Sequence, residues 1–240
     1  MSGQFLQLRH DVATGKLLAA GIHVLTASGV VAGFFALLAV ISQRWEAAFT
    51  WLAVAAVIDG IDGPLARYFQ VKKRMPRFSG ERLDLVIDYF TYVVVPALMI
   101  FTGGQMTKGW ALIAAVIVLM SSLFHFSDMG SKTEDGFFVG FPAIWNVVAF
   151  YLFAFPMPSG AAFALIAFLG AMTFVPLKWV HPVRVERWRV LTIIVLTLWS
   201  GASALALWQG LPASPTLQII LVLCGLYLLA CGLMRSFGRD

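Results

Sequence analysis

Four aspartates with regular spacing are the residues of this chain best suited to carry out chemistry. Asp59 and Asp62 are three positions apart, and Asp84 and Asp88 are four positions apart. On α-helices, both spacings place the two side chains of a pair on one face. All four lie in or beside long apolar runs, where a carboxylate at the bilayer centre costs about 2.5–3.5 kcal/mol. Such a group of carboxylates needs a compensating cation.

Divalent metal ions are the cations that this group favours. Carboxylate oxygens are hard ligands that suit Mg²⁺ or Mn²⁺, and no set of histidines and cysteines competes for the role. The short basic segment between the pairs predicts antiparallel neighbouring helices with both pairs at the same end. We therefore predict that all four aspartates hold two divalent ions, an arrangement that serves displacement at phosphorus.

Small residues lie beside the carboxylates on the same helix faces. Gly63 and Ala66 follow Asp59 at i+4 and i+7, and Gly80 precedes Asp84 by four positions. Without bulky side chains here, a nucleotide can approach the helix backbone. Close packing of helices through small residues is the alternative, but the adjacent aspartates favour a binding site.

These two segments resemble the signature of the CDP-alcohol phosphotransferases. The signature reads Asp-x-x-Asp-Gly-x-x-Ala-Arg, then a spacer, then Gly-x-x-x-Asp-x-x-x-Asp, and residues 59–67 and 80–88 contain every position of it. The resemblance implies an enzyme that displaces CMP from a CDP-linked lipid. It also implies a homodimer and a bacterial inner membrane.

The resemblance further implies a role for each matched residue. The metal ligands would be Asp59, Asp62, Asp84 and Asp88. Asp88 would also be the general base, since a carboxylate near the reacting alcohol can accept its proton. The nucleotide contacts would be Gly63, Ala66, Arg67, Gly80 and Thr26, although helix packing is an alternative for Thr26.

The spacer after the signature arginine indicates the acceptor. Residues 68–79 make it longer than is usual in the family by about one helical turn. In this it is similar to family members that join CDP-diacylglycerol directly to choline and have more spans than the family core. Serine, glycerol phosphate and inositol are the alternative acceptors.

An aromatic segment over 132–151 also resembles those choline-using members. A quaternary ammonium is held by aromatic faces, each worth about 0.5–2 kcal/mol, often with a nearby carboxylate. An interfacial aromatic belt is the alternative interpretation. The predicted choline contacts are Glu134, Asp135, Phe141, Trp145 and Tyr151.

The elements that position these residues are predicted to be membrane helices. The chain is 60% hydrophobic and only 12% charged, and a spanning helix needs about 20 mostly apolar residues. We predict an all-α polytopic bundle forming one domain over 1–240, with an amphipathic or disordered segment at 1–16. The predicted spans, about eight in number, are 18–42, 47–69, 83–103, 109–129, 139–156, 160–178, 188–208 and 215–234.

The basic residues predict the orientation of this bundle. Of the 17 lysines and arginines, only Arg44 and Lys108 fall on the side opposite the two termini. Cytoplasmic loops carry the excess of positive charge, so both termini and the aspartate ends of the helices are predicted to be cytoplasmic. This placement in short loops argues against nucleic-acid binding, although the net charge is +5.

A transporter is the alternative from another functional class. Intramembrane carboxylates also serve cation-coupled transport, but that function predicts broken helices at mid-membrane or repeated halves. The sequence has neither feature. His23 and His125 are interpreted as groups whose hydrogen bonds are satisfied within the bundle.

Overall fold

The computed structural model describes residues 2–130, 138–179 and 189–237, and the side chains within 15–130, 139–177 and 189–231. Over these ranges the chain is almost entirely helical. The elements are α1 (Ser2–Ile41), α2 (Trp45–Tyr68), α3 (Val71–Arg74), α4 (Gly80–Asp88), a π-helix (Tyr89–Val94), α5 (Val95–Thr102), α6 (Lys108–Ser127), β1 (Phe138–Val139), α7 (Trp145–Ala154), α8 (Ser159–Met172), β2 (Lys178–Trp179), α9 (Arg189–Gln209) and α10 (Pro215–Phe237).

Helices long and apolar enough to cross a membrane confirm the predicted all-α, multi-pass bundle. Five such helices occur in the described ranges: Gly15–Ile41, Trp45–Tyr68, Gly80–Thr102, Lys108–Ser127 and Arg189–Gln209. The other three predicted spans contain shorter apolar helical segments, which are α7, α8 and the part Pro215–Cys231 of α10. Helix α1 begins at Ser2, so the backbone of the N-terminal segment is helical from that residue.

The fifth predicted span, 139–156, is only partly helical. Helix α7 has ten residues, about 15 Å, whereas the hydrocarbon core is about 30 Å thick. Non-helical chain lies between β1 and α7. There the Gly140 N–H donates to the Leu177 carbonyl at 2.9 Å, and the Phe141 N–H donates to the Met172 carbonyl at 3.1 Å. These partners satisfy backbone groups for which lipid offers none.

Close packing of α1 against the third span brings the site elements together. A Cβ atom on Gly33 would lie 2.8 Å from the ring of Phe90, and one on Gly29 would lie 3.0 Å from Ile87. The two glycines, four positions apart on one face, let the helices approach closely. Larger side chains here would separate α1 from the elements that carry Asp84 and Asp88.

The start of α4 is fixed by its own sequence. The Ser79 hydroxyl at the N-cap accepts a hydrogen bond from the Arg82 N–H at 3.3 Å. Serine is among the favoured N-cap residues because it satisfies one of the first N–H groups of the helix. Glu81 in the first turn also suits the positive end of the helix dipole. The helix thus begins one turn before Asp84.

Candidate active site

Three of the four predicted aspartates converge where α2 meets α4. Asp59, Asp84 and Asp88 each offer one carboxylate oxygen, and these oxygens all lie within 4.8 Å of one another. The three side chains are partly buried. Like charges at this separation repel strongly where the local dielectric is low. A hard divalent cation such as Mg²⁺ or Mn²⁺ fits this set of oxygen donors.

Asp62 lies outside this three-member group. Its side chain is 6% exposed, and it makes hydrogen bonds with the Thr26 side chain of α1 and with the backbone of Gly63. The structure therefore ties Asp62 to α1, one helical turn from Asp59. Its role as a metal ligand stays a prediction.

A cavity of about 620 Å³ lies beside the carboxylates. Its volume is within the range of about 300–1,000 Å³ that is usual for small-molecule sites. All five predicted nucleotide contacts line it, and so do Asp62 and Asp84. The lining residues are Ile22, His23, Thr26, Asp62, Gly63, Ala66, Arg67, Gln70, Val71, Lys72, Lys73, Pro76, Phe78, Ser79, Gly80, Glu81 and Asp84.

Positive side chains line the same cavity as the carboxylates. The Arg67 guanidinium folds back along α2, so that a Cβ atom on Gly63 would lie 3.4 Å from Nη1. Lys72 and Lys73 also line the cavity, and Lys72 makes an exposed ion pair of 3.4 Å with Glu81. Arginine and lysine hold phosphate oxygens by charge-assisted hydrogen bonds. The cavity therefore combines carboxylates for metal ions with cations for phosphates.

The long spacer between the signature halves forms one wall of this cavity. It contains the helical turn α3. Gln70, the residue before α3, has a left-handed backbone conformation with a φ of 51°. Val71 is 3% exposed and packs in a small cluster with Ala19 and Ile22 of α1. The spacer thus reaches across to α1 and borders the cavity.

Tyr92 is a site residue that the sequence interpretation missed. Its hydroxyl, on the π-helix, donates a hydrogen bond of 2.8 Å to Asp59 Oδ2. The sequence contained a signal, because Tyr92 continues the four-residue spacing of Gly80, Asp84 and Asp88. That spacing alone did not indicate the partner across the helix interface.

His23 does not fit its interpretation as a satisfied residue. Its ring lines the cavity and meets the Phe78 ring edge-on, with centroids 6.2 Å apart. A Cβ atom on Gly80 would lie 3.5 Å from the imidazole. The buried Nε2 atom has no hydrogen-bond partner among the residues that the structure describes. Buried polar atoms without partners are uncommon, so His23 belongs among the candidate ligand contacts.

The three aromatic residues predicted to contact choline are in a different region. Trp145 is 0% exposed, Phe141 is 2% exposed, and their rings meet with centroids 4.9 Å apart. The Trp145 indole N–H donates to the Ser122 hydroxyl at 2.7 Å. Neither these two residues nor Tyr151 is among the described residues that line the cavity.

The Tyr151 hydroxyl of α7 makes hydrogen bonds to α9 and α10. It donates to the Leu221 carbonyl at 2.7 Å and accepts from the Trp199 indole N–H at 3.0 Å. These contacts favour packing for Tyr151, as they do for Trp145. The two predicted acidic choline contacts, Glu134 and Asp135, lie outside the described residues, and choline binding by the whole set stays a prediction.

Comparison with known proteins places the chain in a family. The family model of the CDP-alcohol phosphatidyltransferases matches residues 17–199. The chain is similar to proteins named phosphatidylcholine synthase from several bacteria. That from Mesorhizobium japonicum is 41% identical over 90% of this chain and 86% of its own length. Those from Rhizobium meliloti and Pseudomonas aeruginosa are each 39% identical over 92% of this chain, and over 92% and 93% of their own lengths.

The chain belongs to the CDP-alcohol phosphatidyltransferase family. This is the family whose signature the aspartate segments carry, and its members depend on divalent metal ions. The membership favours a transferase over the cation-coupled transporter considered from the sequence. It also agrees with a multi-pass membrane protein.

Proposed function

We propose that this chain is a phosphatidylcholine synthase. It transfers the phosphatidyl group of CDP-diacylglycerol to the hydroxyl of choline and releases CMP. The observation that carries this proposal is the convergence of Asp59, Asp84 and Asp88 beside a cavity lined by the other signature residues. The likeness to phosphatidylcholine synthases over more than nine-tenths of the chain supports choline as the acceptor.

Different residues around the cavity bind different parts of CDP-diacylglycerol. Asp59, Asp84 and Asp88, together with Asp62, hold two divalent ions, Mn²⁺ or Mg²⁺. When bound, such ions neutralise the diphosphate and stabilise the leaving oxygen. Arg67 holds phosphate oxygens from α2, and the small residues Gly63, Ala66 and Gly80 leave room for the nucleotide, with Thr26 on the facing helix.

Asp88 is proposed as the general base. As the choline hydroxyl oxygen forms its bond to the phosphorus of the phosphatidyl group, its proton passes to the Asp88 carboxylate. The bond between that phosphorus and the bridging oxygen breaks, and CMP departs with the bonding electrons. General-base catalysis of this kind contributes about 10²–10⁴-fold to the rate.

The membrane location, oligomeric state and orientation of the enzyme are part of the same proposal. We place it in a bacterial inner membrane as a homodimer, with both termini and the active site at the cytoplasmic face. The basic residues support this orientation, since cytoplasmic loops carry the excess of Lys and Arg. Arg67, Lys72 and Lys73 all line the cavity at that end of the bundle.

The test uses purified full-length protein with CDP-diacylglycerol, Mn²⁺ or Mg²⁺, and a panel of choline, serine, glycerol phosphate and inositol. We expect CMP release with choline and formation of phosphatidylcholine. Release with serine alone would contradict the choline acceptor while leaving the family unaffected. Undiminished turnover in excess chelator would contradict the metal role of the aspartates.

A further inference from the structure

We infer that Tyr92 is a positioning residue of the metal centre, which holds the Asp59 carboxylate in place for an ion shared with Asp84 and Asp88. The inference rests on the proposed function, because it concerns the same carboxylates. It adds a residue outside the signature to the site. The observation that carries it is the hydrogen bond of 2.8 Å from the Tyr92 hydroxyl to Asp59 Oδ2.

The surroundings of this hydrogen bond give it strength. The Tyr92 side chain is partly buried, and its partner Asp59 has a carboxylate oxygen within 4.8 Å of oxygens from Asp84 and Asp88. A hydrogen bond to an ionised acceptor is roughly twice as strong as one between neutral groups. This hydrogen bond therefore holds the phenol at the carboxylate group.

The π-helix explains why Tyr92 is directed towards α2. Positions three apart on an α-helix share roughly one face, yet Tyr89 and Tyr92 bond to different neighbours. The Tyr89 hydroxyl donates to the Leu119 carbonyl of α6 at 3.0 Å, whereas the Tyr92 hydroxyl reaches Asp59 of α2. The wider turn of a π-helix, a feature frequent at functional sites, separates the two directions.

Neighbouring contacts hold this wider turn in place. The Thr91 hydroxyl donates to the Ile87 carbonyl at 3.0 Å, which satisfies a backbone group at the start of the irregular turn. On the other side, Gly33 of α1 permits the close approach of Phe90 and Thr91. The direction of Tyr92 is thus fixed by packing on α1 as well as by its own hydrogen bond.

Asp59 needs such a partner because its neighbours repel it. Its carboxylate oxygen lies within 4.8 Å of oxygens from Asp84 and Asp88, and before an ion binds this repulsion favours rotation away from them. A donor on one oxygen opposes the rotation. Partners that orient metal ligands in this way are worth roughly 10–100-fold in metal affinity or activity.

The chain offers a matched control for the test. Tyr92→Phe removes a hydroxyl that donates to a carboxylate. Tyr89→Phe, on the same π-helix, removes a hydroxyl that donates to a backbone carbonyl of α6. The readout is Mn²⁺ affinity of full-length protein in detergent, measured by electron paramagnetic resonance without lipid substrate. We expect roughly 10–100-fold weaker binding in Tyr92→Phe and an affinity close to wild type in Tyr89→Phe.

Other outcomes of the same measurement would overturn the inference. Equal Mn²⁺ affinity in wild type and Tyr92→Phe, or an equal loss in both variants, would overturn it. If Tyr92→Phe does not insert, Tyr92→Leu also removes the hydroxyl. Mn²⁺ affinity weakened by roughly 10–100-fold in Tyr92→Leu then supports the positioning role, and an affinity equal to wild type overturns it.

The same samples separate this inference from the proposed function. Weaker Mn²⁺ binding in Tyr92→Phe, with no CMP release from choline by the wild type, would refute the choline reaction and leave the role of Tyr92 intact. Wild-type CMP release from choline, with an unchanged Mn²⁺ dependence in Tyr92→Phe, would refute only the role of Tyr92.

Discussion

The region around the cavity and the region around α7 use their polar groups in opposite ways. Around the cavity, side chains such as Asp84, Arg67 and His23 converge on open space. Around α7, the Trp145 indole and the Tyr151 hydroxyl instead bond to other helices. Both regions contain aromatic and polar residues in apolar sequence. The direction of the polar atom, rather than the residue type, separates a binding site from packing.

The largest effect is expected at the carboxylate cluster. Asp88→Asn keeps the size of the side chain but removes the proposed base and one proposed metal ligand, so turnover should fall by roughly 10²–10⁴-fold. CMP release from CDP-diacylglycerol and choline, by variants that insert normally, measures this effect.

Asp128→Asn is the matched control for that variant. Asp128 is exposed, and its side chain accepts a hydrogen bond from the Gly130 N–H at 2.8 Å. It is not among the described residues that line the cavity. We expect its turnover to match the wild type. Normal activity in Asp88→Asn would contradict a catalytic role for the carboxylates beside the cavity. The cavity region would then not differ in function from the region around α7.

A second effect tests the packed region. Trp145→Ala removes a side chain that is 0% exposed and whose N–H meets Ser122. Truncations of this size in a packed core cost about 3–5 kcal/mol, so the thermal unfolding temperature in detergent should fall clearly. Trp145→Phe should lose less, because it keeps most of the packing.

The same pair of variants tests the choline prediction for Trp145. If its role is packing, the KM for choline in Trp145→Phe stays near the wild-type value although stability falls. A raised KM for choline with unchanged stability would instead favour a choline contact, and would mean that the packed region also binds substrate.

The sequence predicted the carboxylate cluster because that cluster depends on local geometry. Helical spacing puts Asp59 on one helix face, and Asp84 and Asp88 on another, and the short connection makes the two helices neighbours. The apolar runs likewise predicted the helices, since length and hydropathy decide whether a segment can span lipid.

Features that depend on distant contacts were not predictable in the same way. The role of Tyr92 needs a π-helix and a partner 33 positions away. The short α7 follows non-helical chain whose backbone N–H groups donate to the Met172 and Leu177 carbonyls. Trp145 looks the same in sequence whether its ring faces choline or Phe141. Its burial and its hydrogen bond to Ser122, which favour packing, are visible only in the structure.

The smallest effect is expected at His23, on the wall of the cavity. Its ring lies against Gly80 and Phe78, and its Nε2 atom lacks a partner in the described part of the chain. A bound nucleotide that supplies one would gain about 0.5–1.5 kcal/mol. His23→Ala should therefore raise the KM for CDP-diacylglycerol by roughly three- to tenfold with little change in kcat. Ser28→Ala, which removes a hydroxyl that donates to the Leu25 carbonyl of α1, should leave the KM unchanged, and equal shifts in both variants would assign the effect to α1 packing.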